Sequence, residues 1–82
     1  MTRLTPSLER QLRQTIAERI RARRMAVGVS QEALGEKANI HRTYIGAVER
    51  GEKNVTVVTL AKIAHALHCK LSDLLPDGVD AH

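Results

Sequence analysis

Apolar residues recur along this chain at the three-to-four spacing of an α-helix, and five such segments are set apart by punctuation residues. Leu8, Leu12, Ile16, Ile20 and Val27 form the first stripe. Thr5 and Pro6 mark its start. The hydroxyl can accept an orphan N–H, and the ring's fixed φ suits the first helical position. Gly28 marks its end. Ser30 then caps a short second helix with Glu32 in its positive first turn and Leu34 and Ala38 facing inward. Asn39 tolerates left-handed backbone and turns the chain. A third helix follows over 41–50, with His41 as its cap, Ile45 and Val48 inside and Gly51 as its stop. Thr56 caps a fourth, striped by Leu60, Ile63, Ala64 and Leu67, and a short fifth covers 71–75 before Pro76. Val55, Thr56 and Val57 are too few to make a strand. The pattern predicts an all-α fold in one domain, 1–82, with no repeat or linker.

Residues 30–51, SQEALGEKANIHRTYIGAVERG, place two short helices around a turn of about three residues, the spacing of a helix-turn-helix. The two helices must approach closely, so the facing position must be small, and Gly35 is. The second helix needs an apolar inner face and a short, polar outer face of His41, Arg42, Thr43, Gly46 and Ala47. Only then can it sit in a major groove ~12 Å wide.

The ordered set IRARRMAVGVSQEALGEKA, HRTYIGAVERG and LAKIAHAL strongly resembles the Cro/repressor-type (Xre) helix-turn-helix family over 16–75. The resemblance implies a five-helix, lambda-repressor-like DNA-binding domain. Its core is about 16–75, preceded by an extended first helix (5–15) and followed by a short flexible tail (76–82). It further implies roles residue by residue. Gln31 grips a phosphate and braces the recognition helix. Arg42, Thr43 and Ala47 face outward to read base edges. Arg50, Lys53 and Asn54 hold the backbone, and Arg24 and Glu49 form an ion pair tying the first helix to the third. Tyr44 either reaches a phosphate through its hydroxyl or packs its ring at the rim of the second helix. The chain departs from the family pattern at Gly35 (usually alanine), Asn39 (usually glycine), His68 (commonly a helix-ending glycine) and Lys70 (commonly a capping serine).

Composition sharpens this. With one Tyr and no Phe or Trp, the core is aliphatic and no aromatic platform for stacking single-stranded bases exists. An 82-residue chain buries only roughly 60–65 % of its unfolded surface, so a partner subunit would add to a thin core. The net charge is +4. Residues 1–30 carry seven arginines against Glu9 and Glu18, residues 31–54 balance, and residues 55–82 are slightly acidic. A basic first helix suits a polyanion, although arginine is also an ordinary helix former on a solvated face. The longest apolar stretch, 55–67, is interrupted by Lys62 and His65 and is short of the ~20 residues of a membrane span. One cysteine excludes an internal disulfide and points to a reducing, cytoplasmic setting.

His65, His68 and Cys69 sit at ligand-like spacing, but no second pair completes a tetrahedron, so Cys69 reads as a buried thiol and no metal or cofactor is assigned. No catalytic grouping appears, and the expectation is not an enzyme. Leu71, Leu74 and Leu75 are the candidate face of a homodimer. A dimer would set two recognition helices ~34 Å apart on a pseudo-palindromic operator. The predicted function is a dimeric, sequence-specific regulator of transcription, a repressor, acting on double-stranded DNA. The alternative is an antitoxin or interaction module whose main partner is a toxin or other protein. Restriction–modification controller, phage repressor and antitoxin are all compatible with so short a chain.

Overall fold

The computed structural model describes residues 4–77 and places five helices in them: α1 (Pro6–Val27), α2 (Gln31–Ala38), α3 (Arg42–Glu49), α4 (Val57–Ala66) and α5 (Leu71–Leu74). Local chemistry sets each boundary. Thr5 Oγ1 accepts the Leu8 N–H at 3.1 Å, Ser30 Oγ the Ala33 N–H at 2.9 Å, and Thr56 Oγ1 the Thr59 N–H at 3.1 Å. His41 caps α3 by accepting the Thr43 N–H on Nδ1 at 3.0 Å. Asn39 closes α2 in the left-handed region at φ 58°, the conformation its short polar side chain tolerates. His68 takes the same conformation at φ 57° between α4 and α5, where glycine would be free of strain.

α2 packs on α3 and α4, α1 crosses α3 and α5, and α4 supports α5. The core they enclose is aliphatic. Ile20, Leu34, Ile45, Ile63, Leu67 and Leu74 have almost no exposed surface, and each such side chain contributes about 1.5–3 kcal/mol on burial. The α2–α3 turn is drawn tight against Gly35. A Cβ at that position would collide with the Ile40 carbonyl oxygen and stand 3.3 Å from the Arg42 nitrogen. The small residue is needed where the two helices meet.

Several inward positions differ from the pattern. Leu8 and Val27, at the two ends of the α1 stripe, remain 38 % and 37 % exposed. Ala17, which the stripe omits, is buried. Leu74 is not a dimer face: it is 1 % exposed and lies in the core, with Leu71 and Leu75 half-buried against it. The physical reason is that α5 is a single turn closing the open end of α1 and α4, so its leucines complete this domain's own core. Of the supposed tail, Pro76 is half-buried and Asp77 is paired with Arg19 at 3.2 Å. Residues 78–82 lie outside the described residues.

The arginines of α1 are largely clamps. Arg19 Nη1 donates to the Leu75 carbonyl at 2.8 Å, and Arg23 donates to the carbonyls of Leu67 and His68 at 3.1 and 3.0 Å. These bonds satisfy carbonyls at the end of α4 and around α5 that no helical N–H reaches. Much of the charge of the first helix is thus spent inside the domain.

Candidate nucleic-acid interface

α3 is fixed by a polar network under its C-terminal half. Arg24 meets Glu49 in a two-pronged ion pair, Nε to Oε2 at 2.7 Å and Nη2 to Oε1 at 2.9 Å. The pair is nearly dry, with the side chains 14 % and 3 % exposed. Hydrogen bonding to Glu49 raises the Arg24 guanidinium above its already high value, outweighing the opposing effect of burial. The third guanidinium nitrogen donates to the Val29 carbonyl at 3.0 Å, tying the α1–α2 junction into the same unit. Gln31, the first residue of α2, donates its Nε2 to Glu49 Oε1 at 3.1 Å. One carboxylate therefore joins α1, α2 and α3.

The outer end of α3 is open. Arg42 and Thr43 project from its first turn and are exposed, with Arg42 held to Glu32 of α2 at 2.7 Å. Arg50, just past the helix, is exposed and forms a two-pronged pair with Glu52 at 2.9 and 3.2 Å. This pairing raises the Arg50 guanidinium and holds the Glu52 carboxyl below the usual carboxylate range. Lys53 is exposed. Tyr44 is half-buried and packs against the core.

Ala47, expected to face outward, has little exposed surface. It is 6 % exposed, and Gly46 beside it is buried. The reason is geometric. Eight residues pack against both α1 and α2, so only the first turn escapes cover. Gly46 is roofed by its neighbours: a Cβ there would stand 3.2 Å from Arg50 Nη1 and 3.5 Å from Gln31 Oε1. Of the three residues expected to face outward, Arg42 and Thr43 are the exposed ones.

The sequence reading missed what holds the loop after α3. Arg13 Nε donates to the Gly51 carbonyl at 3.2 Å and its Nη1 to Asn54 Oδ1 at 3.2 Å, while Gln14 Nε2 donates to the Arg50 carbonyl at 3.4 Å. The extended part of α1 thus splints the segment that carries Arg50, Lys53 and Asn54. Periodicity gave no sign of this, because Arg13 and Gln14 flank the apolar stripe as ordinary polar residues do. Between the same segments runs an open groove of about 360 Å³ lined by Leu4, Leu12, Ile16, Val48, Val55 and Lys53, among others.

His65 and His68 are exposed, while Cys69 is half-buried, and burial pushes its thiol up. Among the described residues no three His, Cys, Asp or Glu side chains gather into a metal site.

Two short helices at a tight turn, the second with an open, cationic first turn, define a helix-turn-helix DNA-binding domain. The helix-turn-helix family HTH_3 matches residues 20–74, and the chain belongs to this family of Xre-type transcription regulators. It is 45 % identical over 64 residues to the control protein C.SmaI of Serratia marcescens, covering 78 % of this chain and 76 % of that one. Among solved structures it is similar to the restriction-modification controller protein C.AhdI from Aeromonas hydrophila. The TM-score is 0.75 and the identity 38 %, over 77 % of this chain and 91 % of that one. A hypothetical transcription factor from Neisseria matches 93 % of this chain and 85 % of its own at a TM-score of 0.78 and 34 % identity.

Proposed function

We propose that this protein is a dimeric regulator that represses transcription by covering a promoter, and that it belongs to the control circuit of a restriction–modification system. The observation that carries the DNA reading is the exposed first turn of α3, where Arg42 and Thr43 stand beside the N-terminus of α2 on a helix locked by Arg24 and Glu49. Arg42 is suited to a two-pronged bond with guanine and the Thr43 methyl to contact with thymine. Gln31, Arg50, Lys53 and Asn54 hold phosphates, with Tyr44 at the edge of that set. The similarity to C.SmaI and C.AhdI supports the restriction–modification setting over the phage-repressor and antitoxin settings.

The dimer rests on a different surface from the one the leucines suggested. Val57 and Val58 open α4 at 69 % and 66 % exposure, and a second copy of the chain is the apolar surface that would cover them on a two-fold site. The protein is not an enzyme, and it works in the cytoplasm. No helix among the described residues is long and apolar enough to cross a membrane. A second reading, in which the main partner is a toxin or other protein, is favoured only by the open apolar groove beside Lys53.

Selection of binding sites from a random duplex library at ~150 mM salt separates the two, because weak non-specific contacts are suppressed there. An inverted repeat with half-sites one helical turn apart is expected. Recovery of no consensus would overturn the DNA reading in favour of the protein partner.

A further inference from the structure

α1 begins at Pro6, ahead of the family's span of residues 20–74, and this leading part reaches the loop that follows α3. Arg13 makes the main connection. Its Nε donates to the Gly51 carbonyl at 3.2 Å, which anchors the guanidinium, and its Nη1 donates to Asn54 Oδ1 at 3.2 Å. Gln14 adds a bond to the Arg50 carbonyl at 3.4 Å. The approach is close because Gly51 has no side chain. A Cβ there would stand 2.5 Å from Gln14 Nε2, and the backbone at φ 74° is one that glycine adopts freely. A guanidinium can only donate, so it must meet the oxygen end of the Asn54 amide. The NH2 end is thereby turned away from Arg13, and Asn54 is exposed. A phosphate oxygen accepts, so the NH2 is the end of the amide that it can use. An exposed amide with no such partner turns freely between its two orientations.

We infer that Arg13 is a positioning residue for DNA: it holds the Asn54 amide by its oxygen, so that the NH2 donors are set in advance to meet a backbone phosphate. The inference rests on the phosphate role given to Asn54 above. It gives the leading part of α1 a share in binding through Asn54 and not through a contact of its own. Without Arg13, the amide presents its oxygen, an acceptor, to the phosphate for part of the time. The side chain must also be ordered at the moment of association, which lowers affinity. Both costs fall on a backbone contact, so they are the same for every sequence. Loss of the positive charge is a separate cost. Arg10, exposed three residues earlier on the same helix, measures it.

The test is a double-mutant cycle on the full chain with Arg13→Gln, Asn54→Ala and both together, and with Arg10→Gln as the charge control. Affinities for a selected duplex and a scrambled duplex of the same length are measured at one salt concentration. Circular-dichroism melts establish that each variant is folded at the temperature used. Arg13→Met, which keeps an unbranched stem, replaces Arg13→Gln if that variant is not. Arg13→Gln is expected to weaken both duplexes alike, by roughly 3–10-fold per half-site, and Arg10→Gln by less than ~2-fold. In the Asn54→Ala background Arg13 has no amide left to aim, so Arg13→Gln should cost no more there than Arg10→Gln does. Losses that simply multiply overturn the inference, because Arg13 would then act independently of Asn54. So does an Arg13→Gln loss no larger than that of Arg10→Gln, which would reduce Arg13 to its charge. A loss confined to the selected duplex overturns it as well. Asn54→Ala binding as tightly as wild type overturns it together with the phosphate role of Asn54. Failure of the DNA reading itself shows earlier and separately, as wild-type protein that prefers no duplex.

Discussion

Replacing Arg24 by methionine should damage the fold more than any other single charge change, and the structure sets the size of the effect. Glu49 is 3 % exposed and takes two of its three hydrogen bonds from Arg24, at 2.7 and 2.9 Å. In Arg24→Met the buried carboxylate keeps only the Gln31 amide at 3.1 Å, and the Val29 carbonyl loses its donor at 3.0 Å. Removing one partner of a buried pair costs about 3–5 kcal/mol. A domain of 82 residues has a total stability of ~4–12 kcal/mol, so this is a large share of it. At about 4–8 °C per kcal/mol for a domain of this size, Tm should fall by at least ~12 °C. Glu49→Leu added to Arg24→Met removes the stranded charge, and the double variant should recover most of the loss, because an apolar replacement of a whole buried pair is often neutral. Urea unfolding followed by circular dichroism at 222 nm reads both, since the chain has one Tyr and no Trp for fluorescence. A loss below ~1 kcal/mol for the single variant would refute the claim that a dry ion pair locks α3. So would a double variant no more stable than the single.

Two further outcomes follow from backbone and thiol chemistry. His68→Gly relieves a left-handed residue at φ 57° and should raise stability by ~0.5–1 kcal/mol in the same urea experiment, the gain in local strain exceeding the added entropy of the unfolded chain. Burial raises the Cys69 thiol above its ordinary value of 9.0, so the folded state keeps its proton longer than the unfolded chain does. That contribution is complete below pH 9.0 and is lost as the pH climbs from there through the folded value. Unfolding midpoints measured from pH 7 to 10 should therefore fall at the alkaline end in wild type and fall less in Cys69→Ala.

The helices were legible because their signals are local. Thr5, Ser30, His41 and Thr56 each cap from a side chain that bonds two or three residues onward, and such chemistry can be read from a string. What depended on distant partners was not legible. Leu74 and Ala47 look like surface residues when each helix is taken alone, and become buried only because α5 closes the core and α1 and α2 both press on α3. The roles of Arg13, Arg19 and Arg23 depend on carbonyls 38–56 residues away, which no period reveals, so their charge looked like an offer to a polyanion. Family resemblance located the helix-turn-helix and named Arg24, Glu49 and Gln31. It could not foresee that Arg42 and Arg50 would each be paired with a nearby carboxylate, Glu32 and Glu52.

The central claim is that Arg42 reads a base while the loop after α3 grips the backbone, and one paired measurement tests it most directly. Affinities of wild type, Arg42→Ala and Lys53→Ala are compared on the selected duplex and on a set with each base pair changed in turn. Arg42→Ala should weaken the selected duplex by ~1–3 kcal/mol and erase the preference at one base pair of each half-site. Lys53→Ala should weaken every duplex about equally and flatten the salt dependence by ~1 per site. Equal, sequence-independent losses in both variants would contradict the account and leave the open turn of α3 as a charged surface that reads nothing.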